Sequence, residues 1–203
     1  MPSGEQIQQY LTGAWQMMLG KADGLKLLDI SADGFWNSFY AMLIALPALV
    51  VGWVGFANDL SALGDGFDGR LSIVLRLATI DLAAWVVPLL VLAAVAKPAG
   101  IADRFVHLVV ASNWASALIA WIILPPALIG LVLPEVRPLE DMLSLVFFVA
   151  AMVLTWRMTN AALGKGAGVA SAVFAGMFIV SLLTLFILQS AFGLAPLDQA
   201  SGL

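Results

Sequence analysis

Five long apolar runs, at residues 35–57, 72–96, 105–133, 142–163 and 168–193, leave this chain few ways to fold. Each exceeds the roughly 20 helical residues needed to cross about 30 Å of hydrocarbon. Short polar connections such as "NDLSALGDGFDGR" and "PEVRPLED" separate them. A water-soluble domain could not hide a composition that is 62% hydrophobic and 11% charged, with a mean hydropathy of +1.01. The solvent for most of the chain is lipid, and helices are the way these runs satisfy their own backbone polarity there. The expected fold is all-α: a polytopic five-helix transmembrane bundle over 35–193, preceded by a segment 1–34 and followed by a short tail 194–203.

An odd number of spans puts the two ends on opposite sides. Lysine and arginine decide which. Lys21, Lys26, Lys97, Arg104, Arg157 and Lys165 fall on the side of the N-terminus, against Arg70, Arg76 and Arg137 on the other. Asp59, Asp65, Asp68, Glu135, Glu140 and Asp141 crowd the opposite loops. The bias predicts a cytoplasmic N-terminus and an outer C-terminus. "MPSGEQIQQYLTGAW" lacks the basic start and apolar core of a signal peptide, so the first span should itself direct insertion.

Residues 4–20 are amphipathic at helical period. Ile7, Tyr10, Leu11, Ala14, Trp15, Met17 and Met18 share one side, while Glu5, Gln6, Gln8, Gln9, Thr12 and Gln16 share the other. Ser3 and Gln6 have capping-box spacing. With no cation on its polar face before Lys21, this helix should be held by its apolar face, in the headgroup layer or, as the alternative, against a partner.

Composition also excludes chemistries. The chain has no cysteine and one histidine, His107, which removes thiolate, iron–sulfur and paired-histidine metal sites. No phosphate-binding glycine loop, zincin helix or nucleophile elbow occurs in a plausible setting, and "GKGAG" reads as a connector. No cofactor, no metal and no nucleic-acid partner is expected; the lipid bilayer is the expected partner, with a membrane protein or a second copy as further possibilities.

The polar residues within the spans are the candidate sites. Asp81 lies near mid-membrane, where an ionised carboxylate costs at least about 3 kcal/mol unless paired or neutralised. Arg76 is turned about 140° from it and should snorkel to headgroups near Asp59 or Glu135. Pro88 frees the carbonyl of Ala84, and Ser181 and Thr184 should lie at Asp81's depth. Such a group is a proton or cation site, or a protonated carboxyl whose interhelical hydrogen bond fixes packing. A second set, Asn37, Ser38, Asn113, Ser116, Arg157 and Asn160, should fall in the inner half. There Arg157 could clamp an anion or snorkel to inner headgroups.

Gly168, Ala172 and Gly176 form a small-residue stripe suited to close helix packing, within the monomer or between copies. Trp36, Trp53, Trp114 and Trp156 fit aromatic belts. Pro125–Pro126 should kink or end the third span. "FWNSFYAMLIALPAL" and "NWASALIAWIILPPAL" echo one another, as in a parallel repeat of two hairpins.

In organisation, and at "ADGFWNSFYAMLIALPAL", the chain resembles the bacterial branch of the Yip (Ypt-interacting protein) family: an N-terminal cytoplasmic segment, five compact spans and a short outer tail, here "LAPLDQASGL". The aspartate-tyrosine-glycine-proline motif that eukaryotic members carry before the first span is absent, and with it the basis for a small-GTPase partner. The resemblance implies a non-enzymatic integral protein of the bacterial inner membrane, acting as a membrane-organising scaffold or partner-binding protein. The alternative is a small transporter or channel subunit using Asp81, with Arg157 and Asn113 as inner contacts. A membrane enzyme ranks third.

Overall fold

The computed structural model describes residues 1–61, 67–133 and 137–194. The expected tail beyond residue 194 lies outside them, as do Asp65 and Glu135. The described chain is all-helical, with seven α-helices and no strand. They are α1 (Gly4–Met18), α2 (Ala32–Asn37), α3 (Ala41–Ser61), α4 (Phe67–Val95), α5 (Phe105–Val132), α6 (Arg137–Leu163) and α7 (Ala167–Ala191). Five helical segments are long and apolar enough to cross a membrane: Ala32–Asn58, Gly69–Val95, Ala102–Val132, Pro138–Leu163 and Ala167–Ala191. This is a multi-pass membrane protein. The first span joins α2 to α3 through a 3₁₀ turn at Ser38–Tyr40, and the third runs on through Pro125 and Pro126 to Val132 rather than ending there.

Around the bundle the helices follow one another in the order α3, α4, α7, α6, α5 and back to α3, while α4 and α5 meet only sparsely across the middle. Two cores result. The larger lies at the end that carries α1, hereafter the capped end, and is built on Trp114, Met17, Met18, Leu108 and Met158. A smaller one at the far end gathers Ala57, Ile73, Leu77, Ile80 and Leu194. Large residues such as Leu43, Leu75, Leu145, Phe186 and Ile187 are exposed on the outside, as lipid solvent permits.

The N-terminal segment is folded onto this bundle. Ser3 and Gln6 make the expected capping box, each accepting from the other's backbone N–H. Of the two placements open to α1, the structure shows the second, with the partner supplied by the same chain: Tyr10, Ala14, Met17 and Met18 are buried against α5 and α6. The Tyr10 ring lies 5.2 Å from that of Trp114. Burying each methionine out of water stabilises docking by about 1.5–3 kcal/mol. Trp114 is therefore a core ring and not part of an aromatic belt, since it is 1% exposed.

After α1 the chain doubles back through a 3₁₀ turn, Ala22–Leu27, whose backbone crosses that of α1 at Gly13 and Gly24. A Cβ on Gly13 would stand 2.7 Å from the Gly24 carbonyl oxygen, and one on Gly24 would run into the Gly13 carbonyl. No side chain fits between two backbones at that separation. Gly24→Val should therefore release α1. A thiol introduced as Met18→Cys in this cysteine-free chain should react with maleimide at least about tenfold faster in the Gly24→Val background, as local opening predicts; equal rates would refute the docked arrangement.

Candidate functional site

Asp81 lies on α4, 14 residues from its last residue, Val95, and so ~21 Å from the capped end of that helix at 1.5 Å per residue. Its Oδ2 accepts a 2.6 Å hydrogen bond from the indole Nε1 of Trp53 on α3. Trp53, half-buried, is thus an interhelical donor, a role its place near a span end did not reveal. A charge-assisted bond of this length offsets part of the cost of a carboxylate in hydrocarbon. Neither Ser181 nor Thr184 bonds to Asp81. Ser181 Oγ instead donates, at 3.5 Å, to the Ala84 carbonyl that Pro88 leaves open, and Thr184 Oγ1 donates to Val180 within its own helix. Arg76 Nη1 donates to the carbonyl of Phe192, the C-cap of α7, at 2.9 Å. A cation at a helix C-terminus complements the carbonyls left unpaired there.

The inner set does not form one cluster. Asn113 and Ser38, both fully buried, do come together: Asn113 Nδ2 donates to Ser38 Oγ at 2.8 Å, and Ser38 donates on to the Phe35 carbonyl. Asn113 Oδ1 accepts from Trp85 Nε1 at 2.9 Å. The 3₁₀ turn at Ser38 is what brings its hydroxyl to α5. Asn37 and Asn160 are half-buried, and the Asn160 carbonyl accepts from Gly164. Ser116 lines the central cavity described below.

Arg157 is exposed, and part of its guanidinium is engaged within the chain. Its Nη2 donates to the carbonyl of Leu19, the C-terminal cap of α1, at 2.8 Å. Gly20, at φ +83°, closes α1 in a left-handed turn, with its N–H on Met17 and that of Lys21 on Gln16. α1 has no basic residue in its own last turn, so α6 supplies the charge that its dipole favours. Nearby, Lys165 bridges the Gly100 carbonyl and the Asp103 carboxylate, tying the α6–α7 connection to the α4–α5 connection.

Gly168, Ala172 and Gly176 are exposed, and a Cβ on Gly168 or Gly176 would meet nothing within 4 Å. The expected close packing within the monomer is therefore absent: Ala172 and Gly176 edge a cleft of about 230 Å³ beside Pro88 and Val91 of α4. Contact between α4 and α7 runs through larger side chains on the neighbouring face, Val173 and Met177 among them.

The sparse meeting of α4 with α5 leaves a central cavity of about 470 Å³ bounded by α4, α5, α6 and α7. Asp81 and Ser181 mark its far part; Ser112, Ser116, Thr155 and Thr159 line it toward the capped end. Phe148, Phe174, Phe178, Met152 and Met177 make up much of the remaining wall. Ser112 and Thr159 donate to carbonyls of their own helices, which turns their remaining lone pairs to the interior. Ser112/Ser116 and Thr155/Thr159 recur at four-residue spacing on facing helices; that spacing is the signal in the sequence that could have found them. The Nδ1 of His107 is buried without a hydrogen-bond partner among the described residues, and His107 is not part of the cavity wall. Among the described residues, no three acidic or histidine side chains assemble as a metal-binding group.

Compared with family models, curated proteins and solved structures, the chain matches none. The geometry alone therefore carries the functional argument.

Two variants test these assignments. Asn113→Leu leaves the Trp85 indole N–H without its acceptor and removes the donor to the Ser38 hydroxyl oxygen, and should lower stability in detergent by about 1–3 kcal/mol, read from thermal unfolding. Arg157→Gln should weaken α1 docking by about 0.3–2 kcal/mol, with Arg157→Lys intermediate, both read from maleimide access to Met18→Cys.

Proposed function

We propose that the chain is a non-enzymatic protein of the bacterial inner membrane, Yip-like in organisation, that acts as a membrane-organising scaffold or holds a partner. In this reading the capped end is cytoplasmic and the C-terminus lies outside. The observation that carries the reading is the docked N-terminal segment. α1 presents a fixed polar face of Glu5, Gln6, Gln8, Gln9 and Thr12 to solvent, and Lys21, Lys26, Lys97 and Lys165 lie at the same end. A tail held in one conformation has little ordering entropy left to lose when a partner binds it.

Mild extraction followed by mass spectrometry should recover a stoichiometric protein or lipid with the native chain and lose it with Gly24→Val. Recovery of the same partner from both would remove the capped face from the mechanism. Orientation is checked with single thiols at Ser3→Cys and Ser201→Cys: labelling of the latter from the cytoplasmic side would reverse the topology.

The central cavity supports a second reading, a small transporter or channel subunit using Asp81. An intramembrane carboxylate bordering a cavity is a common feature of ion and substrate pathways. If Asp81→Asn keeps fold and stability but abolishes a proton-coupled flux in proteoliposomes, this second reading replaces the first.

A further inference from the structure

Asp81 is the one ionisable side chain among the described residues that line the central cavity. Trp53 binds one carboxylate oxygen with a neutral N–H, and Arg76, the nearest cation along α4, is turned away to the Phe192 carbonyl. An ionised Asp81 carboxylate would therefore have no positive counterpart in the cavity wall. Much of that wall is aromatic ring, thioether and aliphatic carbon: Phe148, Phe174, Phe178, Met152 and Met177.

Each ligand class meets this surface differently. An anionic headgroup would be repelled by the carboxylate. A neutral acyl chain would cover it and leave it uncompensated. A bare divalent ion favours several carboxylate and carbonyl oxygens gathered around one point, whereas this wall offers a single carboxylate, with hydroxyls spread along α5, α6 and α7. An organic cation with an apolar body satisfies both parts at once. Its charge pairs with Asp81 in a medium of low dielectric, ring faces attract it further, and methionines adapt to its outline. The volume, about 470 Å³, is in the range of small-molecule pockets.

We propose that the cavity lined by α4, α5, α6 and α7 and by Leu49 of α3 is a binding site for a lipophilic organic cation, an amine or onium ion with a bulky apolar body, with Asp81 as its counter-ion. The proposal rests on the second functional reading and names its substrate class.

Tetraphenylphosphonium is the probe and triphenylphosphine oxide its uncharged analogue, each measured by equilibrium dialysis against the full chain in detergent. The cation should bind saturably, and Asp81→Asn should weaken it by about tenfold or more while changing the analogue by less than about twofold. Ala151→Phe, which places a ring in the wall opposite α4, should abolish binding of both. Absence of saturable binding, or equal cation affinity in Asp81→Asn, overturns the proposal. Should Asp81→Asn fail to give monodisperse protein, undiminished cation binding by Ala151→Phe overturns it instead. Reconstituted flux separates the two claims. Asp81-dependent binding without flux sustains the site and ends the transport reading, whereas an Asp81-dependent ion flux with no affinity for the probe ends the site and leaves transport standing.

Discussion

Indole N–H groups are the joints of this bundle. Trp53 of α3 donates to Asp81 of α4, Trp85 of α4 donates to Asn113 of α5, and Trp121 of α5 donates to the Ile44 carbonyl of α3. The three bonds close a triangle of helices, and Trp156 to Ser171 adds a fourth between α6 and α7. Lipid competes for none of these donors as water would, so each bond acts against a reference state with few alternatives. An indole also brings a large ring with its polar atom, so the same side chain packs and orients. The first two bonds both join residues 28 apart in the chain.

Those joints account for where the empty space lies. α3 is bonded to both α4 and α5, whereas α4 and α5 meet only sparsely around the Trp85–Asn113 bond; α7 packs on α4, α6 packs on α5, and the two close the ring through Phe148 against Phe178 and the Trp156 bond. Pro88 breaks the ladder of α4 where it faces this less constrained side, and Ser181 reaches the freed carbonyl only at the limit of hydrogen bonding. Polar groups that are not consumed by the triangle are left facing the interior. The cavity is thus the complement of the network: Asp81 belongs to both, one oxygen to the joint and the rest of the carboxyl to the space.

The spans, the capping box at Ser3 and the exposure of the Ala84 carbonyl by Pro88 were legible because each depends on local chain geometry or on hydropathy summed over a window. The partners were not. Trp53 and Trp114 lie toward span ends, where amphipathic rings have a sufficient reason to be, and nothing local separates a belt ring from a donor aimed at another helix. Arg157 pairs with a backbone carbonyl, which leaves no signature in residue type. The small-residue stripe at Gly168, Ala172 and Gly176 has the right spacing, yet the azimuth of α7 turns it outward; azimuth follows from the packing of α7 against α4 and α6 and not from the stripe itself. The amphipathic face of α1 was plain, but its cover, Trp114 and α6, lies about a hundred residues downstream or more.

That last separation bears on how the molecule is made. The bond from Arg157 to Leu19 closes across 138 residues. A chain emerging from its first residue onward carries α1 without its terminal cation until the fourth span has been synthesised, and without Trp114 until the third. Throughout that interval the methionine face of α1 lacks the cover that Trp114 and α6 give it in the folded chain. Docking of the first helix is therefore completed only after the third and fourth spans exist.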